Sequence, residues 1–300
     1  MGNNLELPAR KNFRTFFCCS IIAGITFIAF LPSLNNGFTT WDDDIYVVNN
    51  PDIKGFTPRH LARIFSSSYV SNYQPLAMLT YMAEYRFFRL NPKVYHSTNL
   101  ILHIINALLV FALFYGLSGR RITGLLVGLL FAVHPLRVES VAWIAERKDV
   151  LSGLFYFLSL IFYVRYIKGK NRKFYWFCLV SLVLSLLSKP MAVSQPFVLL
   201  CIDYLFRIKL DKKSIRDKVP FIAVAAIFAA GALLTQKAAL PGSGYDVISA
   251  IQGICVPFYG IIFYLVKSAF PVHLCAFYPF PAALDGHIPL QLLASPFLVT

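Results

Sequence analysis

Three aspartates stand in a row, Asp42, Asp43 and Asp44, between Trp41 and the pair Ile45–Tyr46. Adjacent carboxylates repel, so one of them holds a proton more readily near neutral pH and can serve as a general base. The same oxygens suit a hard divalent cation such as Mg or Mn. A solvated turn with helix-capping aspartates is the plain alternative. A second cluster begins at His134-Pro135-Leu136-Arg137-Val138-Glu139 and continues through Trp143 to Glu146, Arg147, Lys148 and Asp149. Pro135 suits the first turn of a helix, and about 100° per residue then puts Glu139, Glu146 and Asp149 on one face. Charges at the lip of an apolar span are costly unless they pair or face a polar cavity. A structural ion-pair network accounts for them as well as a site does, and His134 alone reads as a hydrogen-bonded residue rather than a metal ligand. The third set is basic: Lys189 before Pro190, and Lys267 shortly before Phe270–Pro271. Each lysine can snorkel to an interface, or can neutralise a phosphate as a point charge.

The elements that must position these residues are membrane helices. Hydrophobic residues make up 57% of the 300 positions, with a mean hydropathy of +0.62, more than a soluble fold of this length can hide. The excess falls in blocks long enough to cross ~30 Å of hydrocarbon, without the period-2 alternation of a membrane barrel. The fold class expected is therefore an all-α, polytopic transmembrane helical bundle. The net charge of +14 does not point to nucleic acid, because its basic residues cluster in the short connections 10–14, 118–121, 165–173 and 207–218. That is the positive-inside pattern, and it puts those segments in the cytoplasm. Cys18, Cys19, Cys178, Cys201, Cys255 and Cys275 lie mainly in apolar runs without CxxC spacing, which excludes a zinc or disulfide framework.

Residues 1–14 then form a cytoplasmic basic tail, and 15–300 the membrane domain. Spans are expected at about 15–35, 97–117, 122–133, 150–167, 174–188, 191–206 and 219–235, with an uncleaved first anchor. A long outer segment, 36–95, is too polar for lipid and is expected to fold on the membrane surface as short helices and turns. Segment 249–269 reads as re-entrant or interfacial because Pro257 and Pro271 break it, and Tyr278–Pro281 as an outer turn. The chain stops inside an apolar run, Pro289–Thr300, which suggests a fragment or a terminus cut within an eighth span. On this topology ten of the 14 acidic residues lie outside: Asp42, Asp43, Asp44, Asp52, Glu84, Glu139, Glu146, Asp149, Asp246 and Asp285. A carboxylate site is therefore an outer site. No Walker loop, GxGxxG, GxSxG or HExxH occurs.

Several stretches together carry a resemblance: WDDDIYVVNNP, NYQPLAMLTYM, LNPKVYHSTNLILHIINALL, FAVHPLRVESVAWIAERKDVLSGLFYFLSL, LLSKPMAVSQPFVLLCIDY and YLVKSAFPVHLCAFYP, in that order. From about Phe38 to Pro281 the chain resembles the membrane part of TMTC-type, tetratricopeptide-repeat-bearing glycosyltransferases of the GT-C superfamily. HPLRVESVAWIAERKDVLS is the specific part of the match. The resemblance implies transfer of a sugar from a polyprenyl- or dolichyl-phosphate donor to a hydroxyl of a protein or glycan on the outer or lumenal side, protein O-mannosylation in eukaryotic relatives. It implies that Asp42 and Asp43 match the essential acid of the first outer loop, that Asp149 matches a recurring acid at the start of the fourth span, and that Lys189 matches a recurring lysine near the donor. Further spans and a tetratricopeptide array are expected to follow. The composite expectation makes Asp42 or Asp43 the base and Lys189, Lys267 and Arg147 the phosphate cations, with Trp41, Tyr46, His134, Glu139 and Glu146 supporting. The competing classes are a lipid-phosphate or solute transporter, whose outer charges would line a pathway, and a membrane scaffold for a repeat domain.

Overall fold

A computed structural model describes residues 8–209, 211–237, 247–275, 278 and 289–299. Asp246, Asp285, the first seven residues of the basic tail and most of the turn expected at Tyr278–Pro281 lie outside them. The architecture is all-helical, with only an isolated Tyr69–Asn72 bridge and no strand among the described residues. The chain divides into two units, Met1–Ala239 and Leu240–Thr300.

In the first unit the helices are α1 (Pro8–Phe30), α2 (Pro58–Ser66), α3 (Pro75–Phe88), α4 (Pro92–Ser118), α5 (Arg121–Val133), α6 (Val138–Ala142), α7 (Arg147–Gly169), α8 (Arg172–Ser188), α9 (Gln195–Leu205) and α10 (Lys212–Lys237). Local signals set their ends. Asn91 and Asn171 accept from the N–H groups of Lys93 and Lys173 to cap α4 and α8, and Gly119 ends α4 at φ +71°. Four described stretches are long and apolar enough to cross a membrane: Asn12–Asn35, Pro92–Ser118, Ile144–Gly169 and Ser214–Thr235. Arg121–Val133 and Pro135–Ala142 make a fifth if their 58° bend lies within one span. The sequence reading counts seven or eight spans. The difference lies partly in α8, whose 17 residues rise only about 26 Å, and in the short apolar stretch Pro190–Leu205. Phe16, Ile28, Leu130 and Leu234 stand exposed along these helices, apolar surface of the kind that lipid covers.

The helices approach closely where small residues allow it. On α5 an added Cβ at Gly124 would sit 2.8 Å from the Phe111 carbonyl oxygen, and one at Gly128 3.0 Å from Ile22. This small-xxx-small spacing lets α5 lie against α4 and α1. α7 and α8 run antiparallel, tied by Ser152 to Ser185 at 2.9 Å and by Ser159 to the Cys178 carbonyl at 2.6 Å.

The segment between α1 and α4 folds around a core of Tyr46, Val47, Ile53, Ile64, Met78 and Tyr81, which Tyr95 of α4 and Ile144 and Ala145 complete. Those two residues belong to a break. The single helix expected from Pro135 into Asp149 is instead a 3₁₀ turn (Pro135–Arg137), α6, a second 3₁₀ turn (Ile144–Glu146) and then α7. Trp143, extended at φ −100° and ψ 123°, interrupts it. A break at this depth frees carbonyls, and side chains satisfy them. His103 meets the Ala132 carbonyl at 2.9 Å, Asn99 donates to Trp143 at 3.0 Å and Tyr81 to Ile144 at 2.7 Å.

In the second unit, α11 (Val247–Ala269) packs with α12 (Leu290–Val299), Ser295 donating to the Cys255 carbonyl at 3.1 Å. Pro257 lies inside α11 and does not end it. A proline removes one helical hydrogen bond, which an apolar helix tolerates where its neighbours fill the gap. Pro271 falls beyond the helix.

Candidate functional site

The break before α7 gathers most of the residues that the sequence marks. Four of them form a ladder of alternating charge. Lys148 Nζ lies 2.7 Å from one Glu146 oxygen, and the other Glu146 oxygen lies 3.3 Å from Lys189 Nζ. Lys189 in turn pairs closely with Asp149, whose second oxygen accepts from Ser140 at 3.0 Å. The 3₁₀ turn Ile144–Glu146 presents Glu146 and the first turn of α7 presents Lys148 and Asp149, while the end of α8 delivers Lys189, 40 residues beyond Asp149. Acids at a helix N-terminus oppose the dipole favourably, whereas Lys148 there is unfavourable unless paired. Glu146 supplies that partner, and the Tyr46 and Trp143 rings lie 5.2 and 5.8 Å from the ammonium.

Asp43 clips the first segment onto this turn. It is fully buried; one oxygen accepts from the Ala145 N–H at 2.8 Å, the other from the Thr39 N–H and hydroxyl at 2.9 and 3.1 Å. Asp42 differs sharply. It is half-buried, and its carboxylate has no hydrogen-bond partner among the described residues. Asp44 bonds only to the next residue's N–H. Burial pushes the Tyr46 phenol up to about 12, and the Asp42 and Glu146 carboxylates add to the shift, so both acids act on one phenol. Trp41 is exposed and meets Trp143 edge-on at 5.6 Å.

Arg147 is not presented to a ligand. Its buried guanidinium donates to Asn99 at 2.8 Å, Thr80 at 3.1 Å and the Tyr95 carbonyl at 2.8 Å, and pairs closely with Glu84. The Tyr81 ring lies 4.6 Å from it. Glu139, expected on a face with Glu146 and Asp149, is exposed and pairs with no cation among the described residues, because the break at Trp143 turns it away. The ring of His134 accepts from the Leu136 N–H at 3.3 Å and caps the first turn after α5. Lys267 lies in the second unit, where it donates to the carbonyls of Val272 and His273 at 2.6 and 3.2 Å.

Two features escaped the sequence reading. One is the polar row His96, Asn99, His103 and Asn106 on one face of α4, all buried. Their 3-4-3 spacing in an apolar span is the signal that could have found them. The other is Gln74, buried with neither amide atom hydrogen-bonded. No three His, Cys, Asp or Glu side chains among the described residues converge as metal ligands. Lys189 fills the place between Glu146 and Asp149 that a divalent cation would need, so this donor set does not fit one.

A helical, multi-pass membrane protein with a charged ladder at a broken helix is thus the class that fold and site define. Its relatives are protein O-mannosyl-transferases of the TMTC type. The chain is 32% identical over 180 residues, 53% of its length, to protein O-mannosyl-transferase TMTC4 of Homo sapiens. It is 31% identical over 195 residues, 61% of its length, to Tmtc1 of Drosophila melanogaster, and 35% identical over 134 residues, 42% of its length, to tmtc2 of Xenopus laevis. The matched residues cover 24%, 22% and 16% of those proteins. The chain therefore spans a quarter or less of each of these three relatives. No family model and no solved structure matches it.

Proposed function

We propose that this chain forms the sugar-transfer site of a GT-C-type membrane glycosyltransferase. It would take the sugar, mannose in the named relatives' reaction, from a polyprenyl- or dolichyl-phosphate donor and pass it to a hydroxyl of a protein or glycan acceptor. The site end of the bundle would face outward from a bacterial inner membrane or into the lumen of the endoplasmic reticulum, with the basic loops in the cytoplasm.

The observation that carries this reading is Lys189 held between Glu146 and Asp149 beside the segment that Asp43 anchors. The ladder is neutral, with two cations and two carboxylates. An arriving phosphate must therefore take Lys189 away from Asp149. Asp42 accepts the proton of the acceptor hydroxyl as its oxygen attacks the anomeric carbon. The bond from that carbon to the phosphate oxygen breaks, its electron pair leaves on the lipid phosphate, and the Lys189 ammonium stabilises the charge. One displacement inverts the anomeric centre. Asp43 and Arg147 touch no substrate in this scheme; they hold the break in place.

The test is transfer of radiolabelled mannose from a polyprenyl-phosphate donor in membranes carrying the full-length protein. Asp42→Asn should lower the rate about 10²–10⁴-fold with insertion unchanged. Parent-level transfer by this variant would remove Asp42 from the chemistry.

A further inference from the structure

A groove of about 330 Å³ opens between the beginnings of α1 and α5. Both helices run from there toward the end of the bundle that carries the ladder, so the groove lies at the opposite end. Phe13, Arg14 and Phe17 of α1 line one side of it, and Arg121, Ile122 and Leu125 of α5 the other. Sequence spacing brings them there. Arg14 and Phe17 stand three residues apart and Arg121 and Leu125 four, so each arginine shares a helix face with an apolar residue one turn further in. About another turn beyond Phe17 and Leu125 the helices close together, and a Cβ added at Gly128 would sit 3.0 Å from Ile22. The groove is thus shut by apolar contact at its inner end and has two arginines at its mouth.

Three properties of this mouth define what fits it. Two guanidiniums favour an anion, above all one with several oxygens for their forked donors, and the Tyr115 ring 5.9 Å from Arg121 steadies one of them. Arg121 is also the first residue of α5, whose first turn has no acid, and a cation there is unfavourable unless an anion accompanies it. Lastly, Phe13, Phe17 and Ile122 are each more than half exposed, beside a helix long and apolar enough to cross a membrane. A soluble anion would use the arginines and leave that apolar wall bare. A zwitterionic lipid would use the wall but bring its own ammonium against the arginines. We infer that the groove binds an anionic phospholipid of the leaflet at this end, its phosphate between Arg14 and Arg121 and the start of an acyl chain along Phe17, Ile122 and Leu125. Such a lipid touches both helices and so stabilises the packing of the first span against α5. The site is separate from sugar transfer and does not depend on that reading.

The test uses phosphatidylglycerol with a diazirine near the glycerol end of one acyl chain, as a minor component of phosphatidylcholine nanodiscs carrying the full-length protein. The label should map to 13–18 and 121–125, and plain phosphatidylglycerol should compete where added phosphatidylcholine does not. An Arg14→Gln/Arg121→Gln double variant, checked as monodisperse, should lower this labelling at least tenfold. Arg14→Glu, a reversal at an exposed position, serves if the double variant does not fold and should lower labelling as far. Labelling that maps elsewhere, or that persists in the folded variants, overturns the proposal. Equal competition by phosphatidylcholine would make the groove an ordinary lipid-facing surface without head-group preference and overturn it too.

Discussion

The bundle carries a buried acid–lysine cluster near each end, and the two are built differently. Tyr163 lies 14 residues further along α7 than Asp149, about 21 Å at 1.5 Å per residue. There Asp203 accepts from Tyr163 at 2.5 Å and Ser214 at 3.3 Å, and pairs closely with Lys218. The side chains of Lys218 and Asp203 are 4% and 1% exposed, so the pair is closed to solvent and to any ligand. In the ladder Lys189 is 23% and Asp149 33% exposed, and one ammonium is shared between two carboxylates. A saturated, sealed pair contributes specificity to helix packing and has nothing left to exchange. A shared, accessible lysine can change partners. On the proposed reading the same residue types serve structure at one end and chemistry at the other, and accessibility separates the two.

The comparison is broken most strongly at the closed pair. Lys218→Met leaves Asp203 buried without a cation and should destabilise the protein by about 3–5 kcal/mol. Thermal unfolding in detergent reads this as a large loss of folded protein, with transfer falling in proportion to it. A variant that is stable but inactive would move the chemistry to this end instead.

Asp43 and Asp44 sharpen the comparison within the first segment. Asp43→Asn places an amide among three hydrogen-bond donors and should cost about 1–3 kcal/mol, read as a lower melting temperature. Asp44→Asn loses only a local contact and should stay within about 0.5 kcal/mol. Equal melting temperatures for the two would show that the Asp43 clip does not hold the segment.

The sequence made the helical class legible because apolar blocks of crossing length leave little choice in lipid. It also brought out the residues of the ladder, though not their pairing. Asp149 pairs with Lys189 and not with its sequence neighbours Arg147 and Lys148, because α8 returns antiparallel along α7. Arg147 read as a phosphate cation because its partner Glu84 lies 63 residues away, in a segment whose fold no periodicity announces. The break at Trp143 was hidden for a related reason. Its cost is offset by Asn99 on α4 and Tyr81 on α3, and a polar minority within an apolar span is lost in mean hydropathy.

The central claim is that Lys189 exchanges Asp149 for the donor phosphate, and donor kinetics of a Lys189→Gln variant test it most directly. With the full-length protein in membranes, the polyprenyl-phosphate-mannose KM should rise at least tenfold and kcat should also fall, since the leaving phosphate loses its cation. The melting temperature should drop less than in Lys218→Met, because Asp149 keeps solvent access and its Ser140 contact. Parental KM and kcat in a stably folded Lys189→Gln protein would contradict the account and leave the ladder a structural network like the pair at the other end.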